Sequence, residues 1–244
     1  MASRDQYDPN DRLASAAGVL VTDLHSHVLP GIDDGARYPE DSLAMLSLLR
    51  DLGYKKVITT PHVMTGAYPN TISAIQEAEA RLRAEEGFAS LGIELQVAAE
   101  YMLDEGFGGI LAGGDILSFG DRFVLMECSF QQPWPGYREL VFELQLQEFT
   151  PVLAHPERYL YWQADPRELL ALSDAGVLFQ VNLMSLAGRY GPGVRRHAER
   201  MLKEGRVSFL GSDLHTVNTA AYLKQGLATP SASAFAPYML NAGL

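Results

Sequence analysis

Residues 19–35 read VLVTDLHSHVLPGIDDG. An apolar run leads into His25 and His27, and two aspartates follow just past a proline and a glycine. On a strand, side chains two apart share a face, so the two imidazoles emerge together. Paired imidazoles fill a core poorly, but they hold a metal ion well. Whether they do so here depends on what the rest of the chain brings to the same edge.

Working outward, apolar β-rich runs recur at 55–60 (KKVITT), 94–99 (ELQVAA), 122–126 (RFVLM), 151–154 (PVLA), 177–183 (VLFQVNL) and 206–211 (RVSFLG). Helical spacing fills 40–52, 69–86, 137–148, 166–175 and 192–205. Pro39 and Pro166 suit first-turn positions, and Gly53, Gly176 and Gly205 suit the residue after a helix end. The glycine-rich 104–118 segment reads as loop. Seven strands alternating with helices predict a parallel α/β architecture, open sheet or barrel. No repeat or linker divides the chain, so residues 19–244 read as one domain behind an N-terminal arm, 1–18.

Each strand delivers a polar residue at its C-terminal end. After His25 and His27 come His62, Glu100, Glu127, His155 and Asn182, and the last strand ends on Asp213 and His215. In parallel α/β folds that edge builds the active site. Singly, a strand-end His is an ordinary hydrogen-bonded residue, Asp213 a helix cap, and Glu100 or Glu127 an arginine partner. Together with Asp34 they supply more imidazole and carboxylate groups than one ion needs, which points to two or three ions and to hydrolysis.

The order and spacing of DLHSHVLPGIDDG, TTPH, AAEYML, LMECSF, AHPERY and GSDLH resemble the PHP (polymerase and histidinol phosphatase) superfamily. Within it they resemble the manganese-dependent protein-tyrosine phosphatases of bacterial capsule and exopolysaccharide systems. The resemblance runs from about residue 20 to 227 and implies a distorted (β/α)7 TIM-like barrel with two or three divalent ions, manganese ahead of iron or zinc. It implies that His25, His27, Glu100 and Asp213 hold one ion. Glu100 then bridges to a second with Glu127 and His155, and Asp34, His62 and His215 hold a third. Arg158 is the implied phosphate contact, with Arg189 and Lys224 as further candidates, and metal-activated water is the implied nucleophile. His62 or His215 is the implied proton donor to the leaving group. The implied partner is a phosphotyrosyl protein, a bacterial tyrosine kinase.

The sequence departs from that family in carrying Leu214 where alanine is usual and no arginine soon after Asp213-Leu214-His215. Rival chemistries are also weighed by residues. A small phosphoester such as histidinol phosphate requires the same site. A metal-dependent amidohydrolase would commonly bridge its ions with a strand-end lysine, and none is predicted. A cysteine-dependent phosphatase needs arginine six positions beyond its cysteine, where Cys128 has Trp134. Two aromatic groups, Trp134 with Pro135 and Tyr159 with Tyr161 and Trp162, suit either a phenyl-binding wall or plain loop packing.

The 244-residue chain is 47% hydrophobic with a formal net charge of -11, which disfavours nucleic acid and anionic membranes as partners. Its single cysteine excludes an intramolecular disulfide, and its first twenty residues suit neither a signal peptide nor a membrane span. These features predict a cytoplasmic protein.

Overall fold

Pro61 has no N–H to donate, and the second sequence-predicted strand breaks there into two. A computed structural model describes Ala16 and residues 18–244. In it β1 (Thr22–Asp23) and α1 (Pro39–Asp51) precede β2 (Lys56–Thr59) and β3 (His62–Val63), which flank that proline. Then come α2 (Ile72–Ala84), β4 (Glu94–Val97), β5 (Glu100–Met102), α3 (Phe107–Gly113), β6 (Phe123–Glu127), α4 (Tyr137–Leu146) and β7 (Thr150–Ala154). The chain ends through α5 (Leu160–Ala164), α6 (Arg167–Asp174), β8 (Leu178–Asn182), α7 (Leu183–Leu186), α8 (Pro192–Lys203), β9 (Phe209–Gly211), α9 (Ala220–Leu227) and α10 (Pro230–Phe235).

The ladders are all parallel, in a sheet ordered β1-β2-β4 and a second ordered β3-β5-β6-β7-β8-β9. This is a mixed α/β fold in which each strand edge points the same way. Backbone bonds carry the β2-β4 pairing on toward the β3-β5 pairing, with Ala98 N–H donating to the Thr59 carbonyl at the end of the first and Glu100 N–H to the Pro61 carbonyl at the start of the second. At the far side, Asp213 N–H donates to His25 and His27 N–H to Leu214, so the first and last strand ends also meet.

The expected helices form close to their predicted limits. Asp41 accepts from the Arg37 and Tyr38 amides at the start of α1, and Thr71 accepts from Ala74 at the start of α2. Two expectations are corrected. The seven runs become nine short strands, and the first does not begin until Thr22, because Gly18 and Val19 are helical. The 104–118 segment is not all loop. Asp104 accepts from the Gly106 and Phe107 amides, and Phe107 and Leu111, four apart, are both buried under α3. The predicted arm, 1–18, lies outside the described residues except for Ala16 and Gly18.

A small apolar cluster of Leu24, Ile58, Ala98, Leu125, Val152, Ala154 and Phe209 draws on most of the strands. Glu100 and Glu127 stand two residues beyond Ala98 and Leu125, so alternation sets them on the same face just above this cluster. Below it, buried Asn241 accepts from Leu210 N–H and donates to the Thr22 and Leu210 carbonyls. Asn241→Ala is expected to leave these groups unpaired, lowering stability by about 2–4 kcal/mol and Tm by several degrees. Thermal unfolding measures this, and an unchanged Tm would mean that other groups or water replace the amide.

Candidate metal centre

The loop after β1 folds back on the chain it leaves, with Ala36 N–H donating to the His27 carbonyl. Gly35 makes this possible, since a Cβ there would sit 2.1 Å from the His27 carbonyl oxygen. Gly211 does the same for β9, where a Cβ would stand 2.9 Å from His25 Cβ and 2.7 Å from Gln180 Nε2. At the ends of β7 and β9, His155 and Asp213 hold left-handed backbone conformations, with φ of 36° and 52°. Non-glycine residues adopt these at an energetic cost, which the surrounding packing must offset.

The result is one cluster. His25, His27, Asp34, His62, Glu100, Glu127, His155, Asp213 and His215 all fall into overlapping groups whose donor atoms lie within 4.8 Å of one another. Those groups are His27-Asp34-His62-His215, His25-Glu100-His155, His25-His27-Asp213 and His62-Glu100-Glu127. Glu100 is the hub. Its carboxylate oxygens lie 3.2 Å from His25 Nε2, 3.5 Å from His27 Nε2, 3.2 Å from His62 Nδ1 and 3.2 Å from His155 Nε2. Asp34, at the outer edge, stands 3.4 Å from both His62 Nε2 and His215 Nε2.

These approaches are close but mostly not hydrogen bonds. Both Glu100 oxygens, Glu127 Oε1 and His62 Nδ1 are buried with no hydrogen-bond partner. Buried carboxylates without partners are costly, and natural proteins rarely leave them so. Lone pairs that converge without pointing at one another's hydrogens fit cations held between them. The donor set, imidazole and carboxylate without thiolate, suits manganese, iron or zinc.

Charge is balanced by protons when no cation is present. Burial opposes charge on His25, but Glu100 and Asp213 outweigh it and push its pKa up to about 10. His215 likewise rises to about 9, where Asp34 and Asp213 overcome burial. His27 goes down to about 4, through burial and then the neighbouring His215. Burial, followed by the Glu100 charge, raises Glu127 to about 7. Cation binding at such a site displaces protons.

The groups that support these ligands include Asn182, expected at a strand end, and Asp33 and Gln180, which the sequence reading does not single out. Asp33, beside the expected Asp34, accepts from His27 Nδ1 at 2.9 Å and from the His62 amide at 3.1 Å. Gln180 accepts from His25 Nδ1 at 2.8 Å and donates to Asn182, which donates to Asp213 at 2.6 Å. The Asp213 carbonyl faces His215 Nδ1 at 3.1 Å. In each case the partner claims Nδ1 and leaves Nε2 facing the cluster. The signal for Gln180 and Asn182 was their alternation in the buried strand LFQVN.

Arg158 is not in a surface ion pair with Glu157 or Asp165. Its Nη1 donates to Asp213 at 3.0 Å, and its guanidinium lies between two rings, 4.4 Å from Phe130 and 4.2 Å from Tyr190. Glu157 instead turns inward, accepting from the Asn182 amide and the Ser185 hydroxyl. Arg158 and Arg189 line a cavity of about 320 Å³ over Glu127, His155, Asp213 and His215. Lys224 is exposed on α9 and does not line it. Of the two aromatic groups, Trp134 lines an adjoining cavity. Tyr159 and Trp162 are buried, and Tyr161 donates to the Ser129 carbonyl, so this group packs the loop instead.

The model of one protein family, described as capsular polysaccharide synthesis, CpsB/CapC, matches residues 21–229. The chain is 32% identical over 205 residues to tyrosine-protein phosphatase YwqE of Bacillus subtilis (strain 168), covering 83% of this chain and 80% of that protein. Tyrosine-protein phosphatase CpsB of Streptococcus agalactiae serotype V is 26% identical over 208 residues, covering 80% of this chain and 83% of that one. A crystal structure from work on YwqE of Bacillus subtilis and CpsB of Streptococcus pneumoniae, described as unique metal-dependent tyrosine phosphatases, aligns with a TM-score of 0.78. It is 28% identical and the alignment covers 91% of this chain and 94% of the other.

Proposed function

The chain belongs to the CpsB/CapC capsular polysaccharide synthesis family, and from that premise we propose that its histidine and carboxylate cluster is the metal centre of a protein-tyrosine phosphatase. The observation that carries this is the set of unpartnered buried ligand atoms beneath Arg158. Two or three divalent ions, manganese ahead of iron or zinc, would be held by His25, His27, Asp34, His62, Glu100, Glu127, His155, Asp213 and His215. When bound they supply Lewis-acid stabilisation of phosphoryl oxygens and acidify water.

The remaining work falls to the chain itself. Arg158 offers a planar guanidinium to the phosphoryl oxygens, already oriented by Asp213 and the two rings. Asp33, Gln180 and the Asp213 carbonyl hold the imidazoles of His27, His25 and His215 in one tautomer. His62 has both ring nitrogens against carboxylates, and His215 has only Nε2 free to face the cavity. A nitrogen that holds a cation cannot also release a proton. Both imidazoles are therefore assigned to cation binding, and the tyrosyl oxygen, with a conjugate acid near pKa ~10, departs without a dedicated acid.

We read the two sheets as the distorted (β/α)7 barrel of the PHP superfamily, with β2 and β3 as one interrupted strand and β4 and β5 as another. The backbone bonds joining 25–27 to 213–214 support closure. The substrate is read as a phosphotyrosyl protein, a bacterial tyrosine kinase of polysaccharide export, dephosphorylated in the cytoplasm.

The test is phosphate release from a phosphotyrosyl peptide by chelator-stripped protein, with and without Mn²⁺. Release is expected only with metal and is expected to vanish in His155→Ala. Metal at about 100 times its Kd should also stabilise the fold by about 2.7 kcal/mol, raising Tm by roughly 5–10 °C. Several equivalents of bound metal without release would sink the tyrosyl substrate.

A further inference from the structure

A large aromatic ring left in solvent beside a deep polar cavity is unfavourable unless something covers it. Phe130 is such a ring, 46% exposed. One part of it packs on His155, with ring centroids 5.5 Å apart and planes 27° from parallel, and Arg158 lies over it. Tyr68 makes a matching arrangement on His62, with centroids 5.5 Å apart and planes 14° from parallel. Both rings line a second cavity of about 660 Å³ that opens from the first. Asp34, His62, Glu127 and Phe130 line both cavities and form the neck between them.

The topology sets the spacing of the strands whose loops carry these rings. Tyr68 follows β3 and Phe130 follows β6, and β5 lies between those strands in the sheet. Two strand spacings place the loop roots roughly 10 Å apart. A ring inserted between two others needs about 7 Å, given stacking at ~3.5 Å on each side. An aryl group whose ester oxygen leaves the first cavity through this neck would reach both rings.

We infer that Tyr68 and Phe130 are specificity-determining residues that form a slot for the aryl ring of the substrate. The inference rests on the phosphatase reading and deepens it, because the slot selects phosphate esters of phenols over those of aliphatic alcohols. An alkyl phosphate of serine or threonine reaches the same cavity but leaves the two rings uncovered.

Calorimetry on Mn²⁺-loaded protein tests the slot without relying on turnover. The probes are inorganic phosphate, methylphosphonate and phenylphosphonate, which share the anion and differ in the ring. The wild type is expected to bind phenylphosphonate about tenfold more tightly than methylphosphonate, from two ring contacts. Phe130→Ala and Tyr68→Ala should each cut that ratio to about threefold; Tyr68→Ala should leave inorganic phosphate within about twofold, whereas Phe130→Ala, which takes a ring from Arg158, should weaken all three probes besides. Phe130→Leu, which keeps bulk under Arg158, should lose the ratio as well. An unchanged ratio overturns the slot. So does an equal loss for inorganic phosphate in Tyr68→Ala, which would make Tyr68 a support of the anion site and no part of a slot. Failure of the wild type to release phosphate from a phosphotyrosyl peptide would instead sink the phosphatase reading.

Discussion

Glu100→Gln is expected to lower kcat/KM on a phosphotyrosyl peptide by at least about 10³-fold and to remove at least one equivalent of bound metal. The substitution keeps the shape of the side chain and removes its charge. Glu100 is fully buried, and its two oxygens lie within 3.5 Å of four imidazoles, from β1, β3 and β7 regions of the chain. No other residue in the cluster reaches so many. A neutral amide would bring no negative charge to the cluster, and its N–H₂ would turn a positive edge toward any cation held there. Several kcal/mol of charge stabilisation in the transition state corresponds to the rate loss given. Losing a supporting residue around a metal ligand costs less, typically ~10–100-fold. A purely structural role makes a different prediction. If Glu100 only held the fold together, the variant would melt earlier in chelator. The expected result is a similar Tm in chelator and a smaller rise than wild type on adding Mn²⁺. Full metal content with activity within tenfold of wild type would refute the hub assignment.

The hub was legible in the sequence because strand ends are. Glu127 closes the apolar run FVLME, and His155 follows PVLA, so alternation and position place both at one edge. What could not be read there is which way a side chain turns once the strand has ended. Asp33 and Asp34 are neighbours of the same type, and no period separates their roles. The close approach of Gly35 to the His27 carbonyl folds the loop back, which sends Asp33 to His27 Nδ1 and leaves Asp34 at the rim. Glu157 and Arg158 pose the same problem. The left-handed backbone at His155 leads into a short turn, Pro156–Arg158, that buries the glutamate and presents the arginine. Phe130 escaped notice because a single phenylalanine in a loop has no pattern. The break at Pro61 leaves a mark in the sequence because proline has no N–H to pair, whereas the matching break at Ala98-Ala99 leaves none.

Arg158→Ala is expected to lower kcat/KM by about 10²–10³-fold, the loss usual for one preorganised donor to a reacting oxyanion. Metal content should not change, which separates this variant from Glu100→Gln. The Arg158 side chain is about three-quarters covered, held flat between Phe130 and Tyr190 and tied to Asp213 through Nη1. That arrangement uses one nitrogen and leaves the others to face the cavity it lines. A lysine has neither the planar group nor the second donor, so Arg158→Lys should recover no more than about tenfold of the loss. Arg189 differs in kind. It is exposed at the rim, 5.7 Å from Tyr190 and 5.5 Å from Tyr222, and Arg189→Ala should cost about tenfold, mainly in KM. The split between the two arginines follows from burial, since a charge-assisted hydrogen bond gains most where water is excluded. If the Lys variant matched wild type, or if Arg189→Ala lost as much as Arg158→Ala, the guanidinium sandwich would have no part in holding the phosphoryl group.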